Sequence, residues 1–310
     1  MCSHANIAMA LNPDLAEKLH PANGGPNEPS EKTEQLPLTP PPDLECLAPG
    51  FNPKAIQKIV REGILLGSGG VAILLQIANP GVGEGVDRNS NFAYRPVDRL
   101  RTTMTYIYTM AYGTPEERRT VIEMVHHAHK PVKGPGYSAD DPDLQLWVAA
   151  TLYACGVDIY EKMLGKLDQA FSEQVYQEYS VMATSLRVPR EMWPENRQKF
   201  WEYWDEKIAT LQVSPHAKNV ANDLLYNKMG PLWLRVNLPL IRVLTAEFMP
   251  PRMRQEYGLK TSKPRRATYR VTMGLGRKFY PMLPNSVRQI PLKYYLKDMR
   301  KRMAKVADVV

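Results

Sequence analysis

Cysteine is scarce in this chain of 310 residues: Cys2, Cys46 and Cys155 make an odd number with no regular spacing. Neither a disulfide framework nor a cysteine zinc site is expected, and a reducing, cytoplasmic setting fits. Long apolar runs are missing too; the longest, Val71 to Ala78, falls far short of the ~18 residues that mark a membrane span. The first residues lack a basic start followed by an apolar stretch, so no secretory signal is expected. Neither alternating strand patterns nor internal repeats stand out, which makes the class all-α. At 44% apolar and 9% aromatic residues, the chain still carries enough to bury a sizeable core.

Acidic residues are outnumbered, and the net charge is +8. The excess lies late, in Lys263, Arg265, Arg266, Arg270, Arg277 and Lys278, and again in Lys293, Lys297, Arg300, Lys301, Arg302 and Lys305. No recognition motif accompanies it, so a solvated basic face is preferred to a nucleic-acid site, and peripheral membrane contact stays open.

Residues 1–48 are polar and end proline-rich, and read as a disordered or extended arm; residues 49–310 read as one all-α domain. From Asn52 a helical pattern runs to Pro80. Within it, Gly67-Ser68-Gly69-Gly70 lacks a Walker lysine and the strand-to-helix setting of a dinucleotide fold, so close helix packing explains it better. Residues 81–98 read as a loop, then a helix from about Val97 to Tyr112. Further on, Asp141 to Asp143 open a long helix with Trp147, Leu152 and Ile159 as packing anchors. The amphipathic segments near Leu232 to Met249 and after Thr268 precede a basic helix near Ile290 to Ala307.

Only six histidines occur, and three of them, His126, His127 and His129, fall within four residues. Their segment carries helix signals: Thr114 can cap, Pro115 suits the first position, Glu117 completes a capping box and Pro131 ends it. Helical spacing puts Ile122, Val125, His126 and His129 on one inward stripe, with Thr120, Glu123, His127 and Lys130 on the other side. A short turn joins this helix to the one before it, so Arg99 and Thr103, four apart, can face His126 and His129. Buried imidazoles tend to be neutral, the species that ligates metal.

Several chemistries fit poorly. Zinc hydrolysis would need HExxH or a third ligand at a familiar spacing. A di-iron site would need a second ExxH beside Glu123-x-x-His126, and His216 has Val213 three residues before it. No serine sits in a GxSxG setting. Haem fits better: His126 or His129 as ligand, apolar helix faces as walls, and Arg95, Arg99 and Arg101 as donors to the propionates.

The order of residues then carries a resemblance. Ala72 to Gln76, Pro80, Gly85-Val86, Ser90, Phe92, Arg99-x-x-x-Thr103, Gly113, His126-x-x-His129-x-x-Val132-x-Gly134, Tyr137, Asp141-Pro142 and Trp147-Val148 resemble one shared catalytic domain. It belongs to bacterial rubber oxygenases, called latex clearing proteins, and the fungal endoplasmic-reticulum-bound oxygenase of mycophenolic acid biosynthesis. The likeness continues through Pro189, Phe200 to Leu211, Pro250-Pro251 and Leu283-Pro284 to Arg288. It implies an all-α haem b oxygenase of secondary metabolism that uses dioxygen. His129 is then the proximal iron ligand, with His126 behind it and Arg99 and Thr103 in the haem pocket. The family's best-known reaction cleaves carbon–carbon double bonds in isoprenoid chains. Asn89 stands where the family usually has histidine before Ser90, and Thr102 where rubber oxygenases have lysine, so distal ligation by lysine is not carried over.

The expected function is a haem b oxygenase acting on an apolar small molecule or isoprenoid-like intermediate, in the cytoplasm, with attachment to the endoplasmic-reticulum surface left open. The alternatives are a haem enzyme that hydroxylates, peroxidises or rearranges its substrate, and a non-catalytic helical haem- or ligand-binding protein. Substrate identity and oligomeric state are not readable from the sequence.

Overall fold

A computed structural model describes residues 44–89 and 96–307. A 3-10 turn, Glu45–Leu47, leads to α1 (Lys54–Val60), a 3-10 stretch over Gly63–Ser68, and α2 (Gly69–Ala78). Then come α3 (Pro80–Asn89), α4 (Pro96–Tyr112) and α5 (Pro115–His129). Two-residue strands β1 (Lys133–Gly134) and β2 (Tyr137–Ser138) pair antiparallel, Gly134 opposite Tyr137. The chain continues through α6 (Pro142–Leu164), α7 (Gln169–Tyr179), α8 (Val181–Thr184), α9 (Arg197–Thr210) and α10 (Pro215–Leu225). It ends in α11 (Leu232–Phe248), α12 (Pro251–Glu256), α13 (Lys263–Phe279), α14 (Asn285–Arg288) and α15 (Ile290–Ala307). The class is all-α, as the missing strand periodicity indicated.

The longest of these helices, α6, runs through the core. Asp141 caps it by accepting from the Asp143 backbone N–H at 2.8 Å, Pro142 sets the first turn, and Gly165, at φ 100°, lets the chain leave. Its 23 residues extend ~34 Å and meet α1, α2, α8 and α13. Burial on several sides explains why no single apolar stripe marks it. Trp147 is fully buried, and its indole N–H donates to the Leu75 carbonyl at 2.8 Å, so no polar atom is left unsatisfied there. Farther along, Tyr153 meets Tyr176, Tyr179 and Phe200 edge-to-face at 5.2, 5.4 and 4.8 Å between ring centres.

The N-terminus of α5 is fixed as the sequence signals require. Thr114 Oγ1 accepts from the Glu117 N–H, and the Glu117 carboxylate accepts from the Thr114 N–H. Arg300 of α15 donates to that same carboxylate at 2.7 Å, tying the C-terminal helix to this end. The buried Arg118 donates to the carbonyls of Met110 and Cys46, so the last residues of the expected arm lie against α5. The rest of that arm, to residue 43, lies outside the described residues.

Three local expectations change. The pattern from Asn52 to Pro80 is not one helix but two, separated by the 3-10 stretch Gly63–Ser68. Of the glycines expected to pack closely, Gly70 backs onto Thr245 of α11, whereas a side chain at Gly67 or Gly69 would enter open space; Gly63, outside that element, backs onto the Arg288 carbonyl. The loop expected over residues 81–98 contains helix α3, because its glycines serve close approach rather than turning. A side chain at Gly81 would meet Leu144 at 2.9 Å, and one at Gly83 would meet the Ile77 carbonyl at 2.5 Å. The glycine- and proline-rich loop after His129 holds the β1–β2 hairpin.

Among the described residues, no single helix is long and apolar enough to cross a membrane. Lys54–Val60 and Gly63–Ala78 reach the length only as a pair bent by 68°, and much of that pair's apolar surface is buried.

Because the Ile77 carbonyl is backbone and cannot swing aside, Gly83→Ala should destabilise the fold by about 1–3 kcal/mol despite alanine's higher helix propensity. Urea unfolding of the two proteins measures it; an unchanged or higher midpoint would show that α3 can shift.

Candidate functional site

Helix α5 delivers its histidines to different places. Consecutive residues on a helix lie 100° apart, so three histidines within four positions cannot share one environment. His126 is buried in the core, His127 is half-buried, and His129 lines a cavity of about 490 Å³. That volume falls in the ~300–1,000 Å³ range of small-molecule and cofactor sites.

Six helices, with Gln76 coming from α2, and the hairpin region enclose the cavity. Helix α3 presents Val82, Val86 and Asn89; α4 presents Arg99, Thr102, Thr103 and Tyr106; α5 presents Val125 and His129. The hairpin region adds Val132 and Tyr137, α6 adds Leu144, Gln145, Val148 and Leu152, and Met182 of α8 and Leu186 close the far side. The hairpin hangs from the end of α5, since the Val132 N–H donates to the His129 carbonyl at 2.8 Å and the Ala139 N–H to the Val132 carbonyl at 2.9 Å. Gly134 leaves room for the Tyr137 ring, which a side chain there would meet at 2.6 Å. The walls are mostly apolar. Among the described residues, Arg99 is the cavity's charged side chain, and no carboxylate lines it.

Burial, then the positive charges of Arg99 and Arg187, push the His129 imidazole down from its ordinary 6.5 to about 4. It is neutral at physiological pH, the state that can ligate a metal. Its Nδ1 is buried with no hydrogen-bond partner. Its remaining accessible surface belongs to a residue that lines the cavity.

Arg187 adopts φ 71°, a left-handed conformation that costs a residue other than glycine about 1–3 kcal/mol. It lies 3.8 Å from the Asp140 carboxylate, whose pKa burial raises and Arg187 lowers. No motif marks Arg187; only the fold brings it near His129. Gln145 was equally invisible: its side-chain N–H donates to the Ala139 carbonyl at 2.8 Å, leaving its buried Oε1 without a partner. Gln76 and Tyr106 also line the cavity, and the Tyr106 hydroxyl is fixed by the Met182 carbonyl and Ser185. Gln76 did stand within the Ala72 to Gln76 element, though without a role.

Of the residues singled out in the sequence, the structure brings together His129, Arg99 and Thr103 around one space. His126 is not among the residues lining it; it is buried one turn back. Arg101 turns away to Asp98 at 2.8 Å and is not a cavity residue. Arg95, Ser90 and Phe92 lie outside the described residues. Thr102 and Asn89, the two departures from the family pattern, both line the cavity. Thr120 and Glu123, expected on the outer side of α5, are buried, because this helix packs against both α4 and the Glu45–Leu47 turn. A smaller apolar chamber of about 120 Å³, lined by Leu66, Ala72, Ile73, Leu100 and Ile107, shares Gln76, Val86, Arg99, Thr103 and Leu152 with the first. Among the described residues, no group of three or more His, Cys, Asp or Glu is placed to hold a metal ion.

Comparison with known proteins identifies a family. Residues 56–278 match the family model described as "ER-bound oxygenase mpaB/B'/Rubber oxygenase, catalytic domain". Two mycobacterial proteins described as uncharacterised, Mb2261 of Mycobacterium bovis and Rv2237 of Mycobacterium tuberculosis, are each 32% identical over 240 residues, covering 74% of this chain and 94% of the relative. No solved structure matches.

Since the imidazole of His129 resists protonation when folded but not when unfolded, the unfolded state binds more protons between pH 6.5 and about 4. Stability from this group is therefore present above pH 6.5 and lost as the pH falls to about 4. In urea unfolding without added cofactor, His129→Gln should show a shallower decline across that window than wild type; parallel curves would mean that His129 titrates normally.

Proposed function

The chain belongs to the mpaB/rubber oxygenase catalytic-domain family, and on that premise we propose that it is a haem b-dependent oxygenase acting on an apolar small molecule. The observation that carries the proposal is a neutral imidazole, His129, on the wall of a large apolar cavity that no other His, Cys, Asp or Glu among the described residues lines. A metal held there has one protein ligand and must bring its remaining ligands, which a porphyrin does. Val86, Val125, Val148 and Leu152 offer apolar surface to the macrocycle, and Arg99 offers a cation to a propionate. Haem, when bound, supplies dioxygen activation for the oxygenase reaction.

The chain's own residues then have separate tasks. His129 holds the iron, its lone pair kept available by burial and by two nearby cations. Thr103, one turn from Arg99, offers a hydroxyl to the same space. His126 supports His129 from within the core. The smaller apolar chamber beyond Arg99 and Thr103 gives an alkene-bearing, isoprenoid-like chain a place away from water. Cleavage of its double bond by dioxygen yields two carbonyl groups and takes no further reductant. The cytoplasmic setting belongs to this proposal too; both described cysteines, Cys46 and Cys155, are free and buried.

A second reading keeps the cofactor and changes the reaction to hydroxylation, peroxidation or rearrangement. Thr102 and Asn89 favour it, since both line the cavity and both depart from the family pattern that the sequence resembles. Labelled dioxygen together with product mass separates the two: cleavage puts both atoms in product as two carbonyls on a broken chain, peroxidation puts both on an intact skeleton, hydroxylation puts in one while an added two-electron reductant takes the other to water, and rearrangement puts in none.

Replacing His129 by glycine should lower haem content by more than the ~10–100-fold typical of losing an outer-shell partner, and added imidazole should restore it. Full haem content and an unchanged spectrum in that variant would remove His129 as the ligand.

A further inference from the structure

Helix α13 has two unlike faces. Its inner face is anchored: Tyr269 meets Phe248 of α11 edge-to-face at 5.5 Å, Gly276 packs on Met163 of α6, and Tyr280, just beyond its end, donates to the buried Glu62 at 3.0 Å. Its outer face exposes Val271, Leu275 and Phe279, spaced four apart along one stripe that continues into Met282, 73% exposed. Trp233 of α11, the helix packed against it, is exposed as well. Large apolar side chains gathered on a helix with no buried residue of its own need a partner.

Charge identifies the partner. Residues 257–297 contain ten Lys and Arg and no Asp or Glu. Arg288 is neutralised by Glu62, but among the described residues Lys263, Arg265, Arg266, Arg270 and Lys278 form no ion pair. Arg265 and Arg266 instead bond to the Lys260 carbonyl and the Thr261 hydroxyl, which keeps their charge. A second copy of this face would bring cations against cations. Nucleic acid would meet the cations but leave the apolar stripe unused. A bilayer surface meets both needs, with acyl chains for the stripe and anionic headgroups for the bases.

We propose that α13 and the turn after it form a docking face for anionic lipid bilayers. The helix lies flat in the interface with Val271, Leu275, Phe279 and Met282 inserted, and Trp233 sits at headgroup level. The face lies apart from the large cavity: Gly276 touches Met163 near the end of α6, whereas the cavity uses Leu144 to Leu152, so Leu152 and Met163 are separated by ~16 Å of helix. Docking therefore locates the protein without occupying its cavity, and does not depend on what the cavity binds.

The test is co-sedimentation of the full chain with phosphatidylcholine vesicles, with and without about 30 mol % phosphatidylserine, at about 0.1 and about 0.5 M salt. Binding should require the anionic lipid and weaken at high salt. L275S/F279S/M282S should reduce partitioning at least ~10-fold, and R265Q/R266Q/R270Q should remove the preference for phosphatidylserine. All substitutions are at exposed positions, and circular dichroism checks their folding. The proposal is overturned by no binding to anionic vesicles, by binding that the apolar variant leaves unchanged, as a mere polyanion site would give, or by self-association that L275S/F279S/M282S abolishes without any vesicle binding.

Discussion

Holding an imidazole uncharged inside a cavity, beside two guanidinium groups, is the constraint on which the rest of this structure turns. Burial and the charges of Arg99 and Arg187 both favour the neutral form of His129, so the ring keeps a lone pair at physiological pH. The opposing influence is local, since the C-terminal end of α5 favours a cation. Tertiary structure outweighs it. Arg99, which would repel a charged ring, also lines the cavity, so a single arrangement keeps the ring neutral and leaves a cation facing the space.

The scaffold around this point is correspondingly particular. Helix α6 forms one wall with its first turns and anchors α13 with its last, so a single rigid element joins the cavity to the distant basic face. Helix α3 lies close against α2, where Gly83 faces the Ile77 carbonyl, and touches the start of α6, where Gly81 faces Leu144. Some departures from ordinary rules lie at or near the cavity: Arg187 in a left-handed conformation, and partnerless buried atoms on His129 and Gln145. Sites that act on ligands are where such costs are expected to persist.

Much of this was readable from local chemistry. Thr114, Pro115, Glu117 and Pro131 set the limits of α5 because caps and proline act over a few residues. The C-terminal helix from Ile290 to Ala307 followed from periodicity alone. Glycine misled in α3, where it was read as a turn former; what it provides is close approach, and only the neighbouring helix reveals that. The outward face assigned to Thr120 and Glu123 failed because α5 is packed on two sides, which a single-stripe rule cannot describe. Arg101 and Arg187 exchanged places as site candidates for a related reason. Arg101 is captured by Asp98 three residues earlier, and Arg187 reaches the neighbourhood of His129 only through the fold.

The central claim is that His129 holds haem b in the large cavity. Titrating the purified full chain with haemin, followed by its absorption spectrum and a pyridine haemochrome assay, tests it most directly. A Soret band that saturates at about one haem b per chain is the predicted result. A protein that remains colourless after the titration, or takes up haem without saturating, would contradict it.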